Sequence, residues 1–247
     1  MEQVHREINP HISVDCVIFG FSKNRLKVLL IERTYRNEQG SEEKDFKLPG
    51  DFIAPEEDLD RAACRTLEEL TGLTDIFLKQ FGVFGDPDRI KKTIDLKWLR
   101  ATTGTEIKRV VTAAYYALIN ISESKREFAV KNNAYWMDLE RVRNLAFDHD
   151  RIVREGLRHL QHTLRFEPIG FELLPERFTI RELQSLYEGI LGCTLDNRNF
   201  RKKILRSDYL VQLNEKQQGV AHKPARFYQF DQEIYEKNRS ENYTFNF

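Results

Sequence analysis

Cysteine is scarce: 247 residues hold three, and Cys16, Cys64 and Cys193 stand far apart without a Cys-x-x-Cys pair. That spacing argues against a disulfide framework or a structural zinc site and points to reduced, structural thiols. No apolar run approaches the roughly 20 residues needed to span a bilayer, and the opening MEQVHREINPHISVDC lacks the apolar core of a signal peptide. Charge of one sign is also lacking, since 39 Lys and Arg balance 39 Asp and Glu. A preference for a polyanion must therefore come from how charge is distributed along the chain. No internal repeat or low-complexity tract occurs. What is present, 40% hydrophobic and 32% charged residues, describes a cytoplasmic globular protein with no membrane association. Its length suits one large domain or two ordinary ones.

Two strand-like runs, HISVDCVIFGF and RLKVLLIER, flank Ser22-Lys23-Asn24, a short polar connection that predicts a hairpin. A charged interval from Asn37 to Asp45 leads to a Leu48-Pro49-Gly50 turn. Leu59, Ala62, Ala63, Thr66, Leu67 and Leu70 then recur at three- and four-residue steps, which predicts an amphipathic helix stopped by Gly72. Later strands are predicted around Ile76 to Val83, over Lys108 to Ile121, and at Ala134 to Met137; Asp148 to Leu164 has helical apolar spacing. The pattern gives an α+β chain: an α/β/α sandwich over residues 1–165, a Pro- and Gly-bearing linker over 166–177, and a second domain over 178–247.

The segment KLPGDFIAPEEDLDRAACRTLEELTGL resembles the Nudix box, the Gly-x5-Glu-x7-Arg-Glu-apolar-x-Glu-Glu-x-Gly-apolar signature of hydrolases that cleave nucleoside diphosphates linked to another moiety. Glu57, Arg65, Leu67, Glu69, Gly72 and Leu73 match in register, whereas Asp51, Thr66 and Leu70 replace the first glycine and two glutamates. Nudix enzymes gather Mg2+ with several carboxylates on this helix, because a hard cation needs oxygen ligands to bridge phosphates and activate water. The resemblance therefore implies a kept fold and lost hydrolysis, with no catalytic residue, metal or cofactor expected.

The segment from Arg177 to Arg226 holds ten basic against five acidic residues, a net of +5, which leaves −5 for the rest of the chain. Its order of helix (FTIRELQSLYEGILG), turn (Cys193-Thr194-Leu195), basic helix (DNRNFRKKILRSD) and glycine-containing hairpin matches a winged helix-turn-helix. Asp196 or Asn197 can cap the basic helix through a short side-chain acceptor. Phe200, Ile204 and Leu205 are expected to face the first helix. Candidate DNA contacts are Arg181, Arg198, Asn199, Arg201, Lys202, Arg206, Lys216, His222 and Lys223, with Arg198 and Asn199 placed early enough to read base edges. His222 has no partner at metal-ligand spacing.

A degraded Nudix box ahead of a basic winged helix resembles the Nudix-related transcriptional regulators of bacteria, a likeness that KLPGDFI, RVVTAAYYALI, LAFDHDRIVREGL and LDNRNFRKKIL extend along nearly the whole chain. The resemblance implies a homodimeric repressor that binds operator DNA and releases it when a small molecule enters the Nudix-like domain. The family divides between an ADP-ribose-responsive branch controlling NAD metabolism and a sugar-responsive branch. Because two carboxylates that would serve a metal-bound pyrophosphate are gone, the expected effector is L-arabinose, with ADP-ribose as the alternative. Candidate effector contacts are Arg33, Tyr35, Lys47, Asp51, Glu57, Asp86 and Tyr116. Two competing readings are an active Nudix pyrophosphohydrolase with an accessory domain, and a module holding RNA or an acidic protein.

Overall fold

A computed structural model describes residues 7–37, 39–74, 76–164, 173–219, 224–231 and 233–234. The chain divides into two compact units, one containing Lys27–Gly156 with the chain up to Gly20, the other Phe21–Leu26 with everything from Leu157 onward. Among the described residues no helix is long and apolar enough to cross a membrane.

The first unit is built on a seven-stranded sheet. β1 (Ile12–Ser22) and β2 (Arg25–Arg36) form the expected hairpin. Lys23 and Asn24 both adopt left-handed φ, 52° and 58°, the conformation that lets a two-residue turn follow the strands' twist. The charged interval is not a loop: β3 (Glu42–Lys47) pairs antiparallel with β2 from Ile31↔Lys47 to Arg36↔Glu42. Its polar composition hid it because it is the edge strand, where exposed charges cost little and discourage aggregation. β4 (Gly50–Phe52) pairs with β1 and places Gly50 opposite Asp15. α1 (Leu59–Thr71) follows, capped by Asp58, whose carboxylate accepts from the Arg61 amide at 2.8 Å, and ended by Gly72 at φ 68°.

β5 (Lys79–Phe84), α2 (Thr93–Thr103), β6 (Val111–Asn120), α3 (Glu123–Lys131), β7 (Ala134–Asp138) and α4 (His149–Thr163) complete the sequence up to the second domain. The main sheet path runs β3-β2-β1-β6-β5, with β4 on β1 and β7 on β2. The expected stripe of α1 is the buried one: Ala62, Ala63 and Leu67 pack on Val14, Cys16, Ile18, Leu29, Tyr115 and Ala117. A separate cluster of Phe52, Ile90, Leu99, Ile107 and Val110, flanked by Ile8, Trp98 and Phe147, seats α2. α2 and α3 escaped the sequence reading because their apolar spacing is weak and tertiary packing or capping holds them.

In the second unit, β8 (Phe178–Thr179) leads into α5 (Ile180–Leu191) through a capping box. The Thr179 hydroxyl accepts from the Glu182 amide at 3.2 Å, and the Glu182 carboxylate accepts from the Thr179 amide at 2.7 Å. Gly192 ends α5 at φ 69°. Glu188 accepts from the Leu195 amide at 2.9 Å, while Gln184 donates to the Leu195 carbonyl at 3.0 Å, so the turn is pinned to the helix before it. Asp196 caps α6 (Asn197–Ile204), and β9 (Leu210–Lys216) and β10 (Arg226–Phe230) form the wing in a sheet ordered β8-β10-β9. Phe200 and Ile204 are buried as expected, with the Phe200 ring edge-on to Tyr187 at 5.5 Å. Leu205 is a correction: it keeps helical φ and ψ as the C-cap of α6, so it follows Ile204 by about 100° around the axis and stands 42% exposed, off the face of Phe200 and Ile204. Part of the linker segment, residues 166–172, lies outside the described residues.

Candidate functional site

The Nudix-type helix borders a cavity of about 540 Å³ in the first unit. Its polar floor is made by Asp15, Lys47, Arg89 and His149, its wall by Trp98, Leu99 and Phe147, and its rim by Asp51 and Glu69. The floor is a hydrogen-bonded network. Arg89 donates to Asp15 at 3.1 Å and to Asp148 at 3.0 Å. The Leu48 amide donates to His149 Nδ1 at 2.9 Å, which leaves the ring's other nitrogen, 3.3 Å from Asp15, to carry the proton. Burial pushes the Asp15 carboxyl up, but His149 and Arg89 beside it outweigh burial and hold it well below the usual carboxylate range. Burial pulls the Lys47 ammonium down, while its Nζ donates to the Gly50 carbonyl at 2.9 Å.

Gly50 is required by this packing. A Cβ there would lie 2.0 Å from Asp15 Oδ1 and 2.9 Å from the Val14 carbonyl oxygen, one a pinned carboxylate and the other backbone. Gly50→Ala should cost about 3 kcal/mol through forced overpacking, read as a lowered urea midpoint. An unchanged midpoint would show that the Asp15 network can move aside.

The box carboxylates converge on an arginine. Arg65 donates to Glu57 at 2.6 and 3.0 Å, to Asp51 at 2.9 Å, to Glu69 at 3.2 Å and to the Phe52 carbonyl at 2.9 Å. Burial disfavours the charged guanidinium, yet Glu57 and Asp51 more than compensate and raise its pKa. Thr66 is fully buried against the core and Leu70 lines the cavity. Among the described residues no group of three or more His, Cys, Asp or Glu is arranged to hold a metal ion. Asp51, Glu57 and Glu69 are turned onto the Arg65 guanidinium, and Thr66 and Leu70 offer no carboxylate.

Of the candidate effector contacts, the fold brings Lys47 and Asp51 to this cavity. Glu57 faces Arg65 instead. Arg33 and Tyr35 line a neighbouring cavity of about 450 Å³ on the β3 side, where Arg33 is bound by Asp45 at 2.6 Å and Asp95 at 2.5 Å. Asp86 sits on an exposed loop 3.5 Å from Arg151, and Tyr116 is buried in β6 against Phe81. Asp15, Arg89, Trp98, Phe147 and His149 escaped the sequence reading. A lone carboxylate inside the apolar run HISVDCVIFGF was the one available signal, since such a group is buried only with a partner.

In the second unit, Arg181, Arg198, Asn199, Arg201, Lys202, Arg206 and Lys216 are all exposed. Arg198, Asn199, Arg201 and Lys202 lie on α6 away from its buried Phe200 and Ile204. His222 and Lys223 fall outside the described residues.

A Nudix-type α/β domain followed by a winged helix defines the class. Residues 9–156 match the NUDIX domain model and residues 170–230 match the NrtR DNA-binding winged helix domain. The chain belongs to the Nudix domain family, and its second domain is of the NrtR winged-helix type. It is 29% identical over 234 residues to the ADPR responsive transcriptional repressor NtrR of Acinetobacter baylyi, covering 93% of this chain and 86% of that one. Similarity also extends to the NrtR of Shewanella oneidensis crystallised with a 27mer DNA, at 25% identity and a TM-score of 0.70 over 95% of this chain and 97% of that one. An ADP-ribose pyrophosphatase of Methanocaldococcus jannaschii is 28% identical over 153 residues, 61% of this chain and 75% of that one. Likeness along nearly the full chain to a repressor described as ADPR responsive overturns the expectation of L-arabinose and of a role in carbohydrate catabolism. Counting box acids says nothing of an anion's partners, and Lys47 and Arg89 both line the cavity.

Proposed function

We propose that this protein is a DNA-binding transcriptional repressor whose Nudix domain binds ADP-ribose without cleaving it. The observation that carries the proposal is the pairing, in one chain, of an NrtR-type winged helix presenting Arg198, Asn199, Arg201 and Lys202 with a cavity floored by Lys47 and Arg89. Lys47, which donates to the Gly50 carbonyl, brings a cation to a pyrophosphate, and the floor of Asp15, Arg89 and His149 suits ribose hydroxyls, which lose water contacts on burial and need replacements. Arg65 takes the place of a metal as the partner of the box acids, which favours sensing over turnover. The α6 side chains meet the major groove, and Arg181, Arg206 and Lys216 hold phosphates. The protein works as a two-fold dimer on a palindromic site, and effector binding favours an arrangement of the pair that no longer fits it.

The test is anisotropy titration of a duplex from upstream of the protein's own gene against a random duplex. Specific binding should be roughly a thousandfold tighter, and ADP-ribose should weaken it about tenfold or more. Equal affinity for both duplexes would reject the repressor. ADP-ribose at a hundredfold excess over its Kd should also stabilise the protein by about 2.7 kcal/mol, seen as a raised Tm. A flat Tm would reject the effector.

A further inference from the structure

Phe147 is the one bulky aromatic residue among the described residues with a left-handed backbone, at φ 57°. A non-glycine side chain there crowds the following carbonyl oxygen, and such strain persists only where the surroundings over-determine it. Here they do. The Phe147 amide donates to Asp95 at 3.0 Å, and its ring packs edge-on to Trp98 at 6.2 Å and against His149 at 5.1 Å. The Arg33 guanidinium lies 5.0 Å from the Phe147 ring centre and 5.3 Å from that of Trp98. Asp95, in the first turn of α2, binds both Arg33 and the Phe147 amide, so one carboxylate sets the helix bearing Trp98 and the strained residue beside it.

Trp98 and Phe147 together line the 540 Å³ cavity, beside the charged floor of Lys47, Asp15 and Arg89. An aromatic wall adjoins that floor, and the two meet where Lys47 Nζ lies 5.7 Å from the Trp98 ring centre. We infer that Trp98 and Phe147 form a stacking subsite for the planar base of a nucleotide ligand, with Arg33 as the positioning residue that holds the pair through Asp95. A cation against an aromatic ring polarises its π system, and an electron-rich purine then stacks on the ring more favourably. The floor takes the charged and hydroxylated remainder, so the wall decides whether a ligand must carry a base. This inference rests on the effector cavity proposed above.

Trp98 shares the chain with one other tryptophan, Trp136 on β7, which allows a direct readout. In full-length protein carrying Trp136→Phe, ADP-ribose is titrated while heat and tryptophan emission are followed together. Heat with quenched Trp98 emission is the expected result, and ribose 5-phosphate, which has no base, should leave the emission unchanged. Phe147→Leu in the same background should weaken ADP-ribose about tenfold, and Trp98→Phe, in otherwise unaltered protein, should retain most of the affinity that Trp98→Leu loses. Heat without any change in Trp98 emission overturns the stacking subsite and leaves the effector reading standing. Absence of heat with ADP-ribose, in protein that melts cooperatively, overturns both. Equal quenching by ribose 5-phosphate also overturns the subsite, since the signal then owes nothing to a base.

Discussion

Replacing Arg198, Arg201 and Lys202 together with alanine is expected to abolish specific duplex binding while the response of the Nudix domain to ADP-ribose survives. The three cations stand on the exposed face of α6, and none belongs to its core, which is Phe200 and Ile204. Alanine is the best helix former, and the Asp196 cap is untouched, so the helix should persist. A lost bidentate base contact costs about 1–3 kcal/mol, and each lost phosphate contact lowers the salt slope by about 0.9. The triple substitution should therefore weaken the operator complex a hundredfold or more. It should also flatten the plot of log affinity against log salt by about 2 to 3, measured by anisotropy at several salt concentrations. A slope unchanged from the parent protein would place DNA on some other face. An equal loss of the ADP-ribose thermal shift would mean that the variant had simply unfolded.

The second large effect is on stability. Arg33→Met should destabilise the first domain by about 3–5 kcal/mol, because removing one partner strands buried charge on the other. The Arg33 side chain is 2% exposed and Asp95 is 0% exposed, and Asp45 completes a bidentate clasp at 2.6 and 2.8 Å. Burial opposes the Arg33 charge, but Asp45 and Asp95 reverse that and raise its pKa. Three segments meet at this guanidinium: β2 carries Arg33, β3 carries Asp45 and α2 carries Asp95. Combining Arg33→Met with Asp45→Asn and Asp95→Asn should restore part of the loss, since the stranded charges go with it. Urea titration of the single and triple variants measures the difference. A triple variant less stable than Arg33→Met would show that the aspartates contribute chiefly through hydrogen bonds other than those to Arg33.

Much of the fold could be read along the chain because its signals are local. The β1–β2 hairpin, the stripe on α1, the Gly72 stop and the Asp196 cap of α6 each depend on residues within a turn or two of one another. The order of domains was equally legible, as a matched spacing from Asp51 to Leu73 followed by a basic helix after a short turn. β3 was missed for the converse reason: an edge strand is fixed by the partner it borrows from β2, and its own six residues, EEKDFK, are mostly charged. The effector was misjudged because counting lost carboxylates measures the capacity to hold a metal, whereas affinity for an anion resides in cations elsewhere in the fold.

By itself the sequence determined a Nudix-type domain, a basic winged helix behind it, and the side chains that α6 turns outward. Those follow from register and periodicity, which are properties of neighbours along the chain. Only the tertiary structure decided where the box acids turn, because Arg65 reaches back 14 residues to Asp51 and gathers three acids onto one guanidinium. It alone joined Asp15, Arg89, Trp98, Phe147 and His149, which span 134 positions, into one cavity. A binding site is a coincidence in space, and its members owe their meeting to the buried ion pairs that fold β1, α2 and the start of α4 around it.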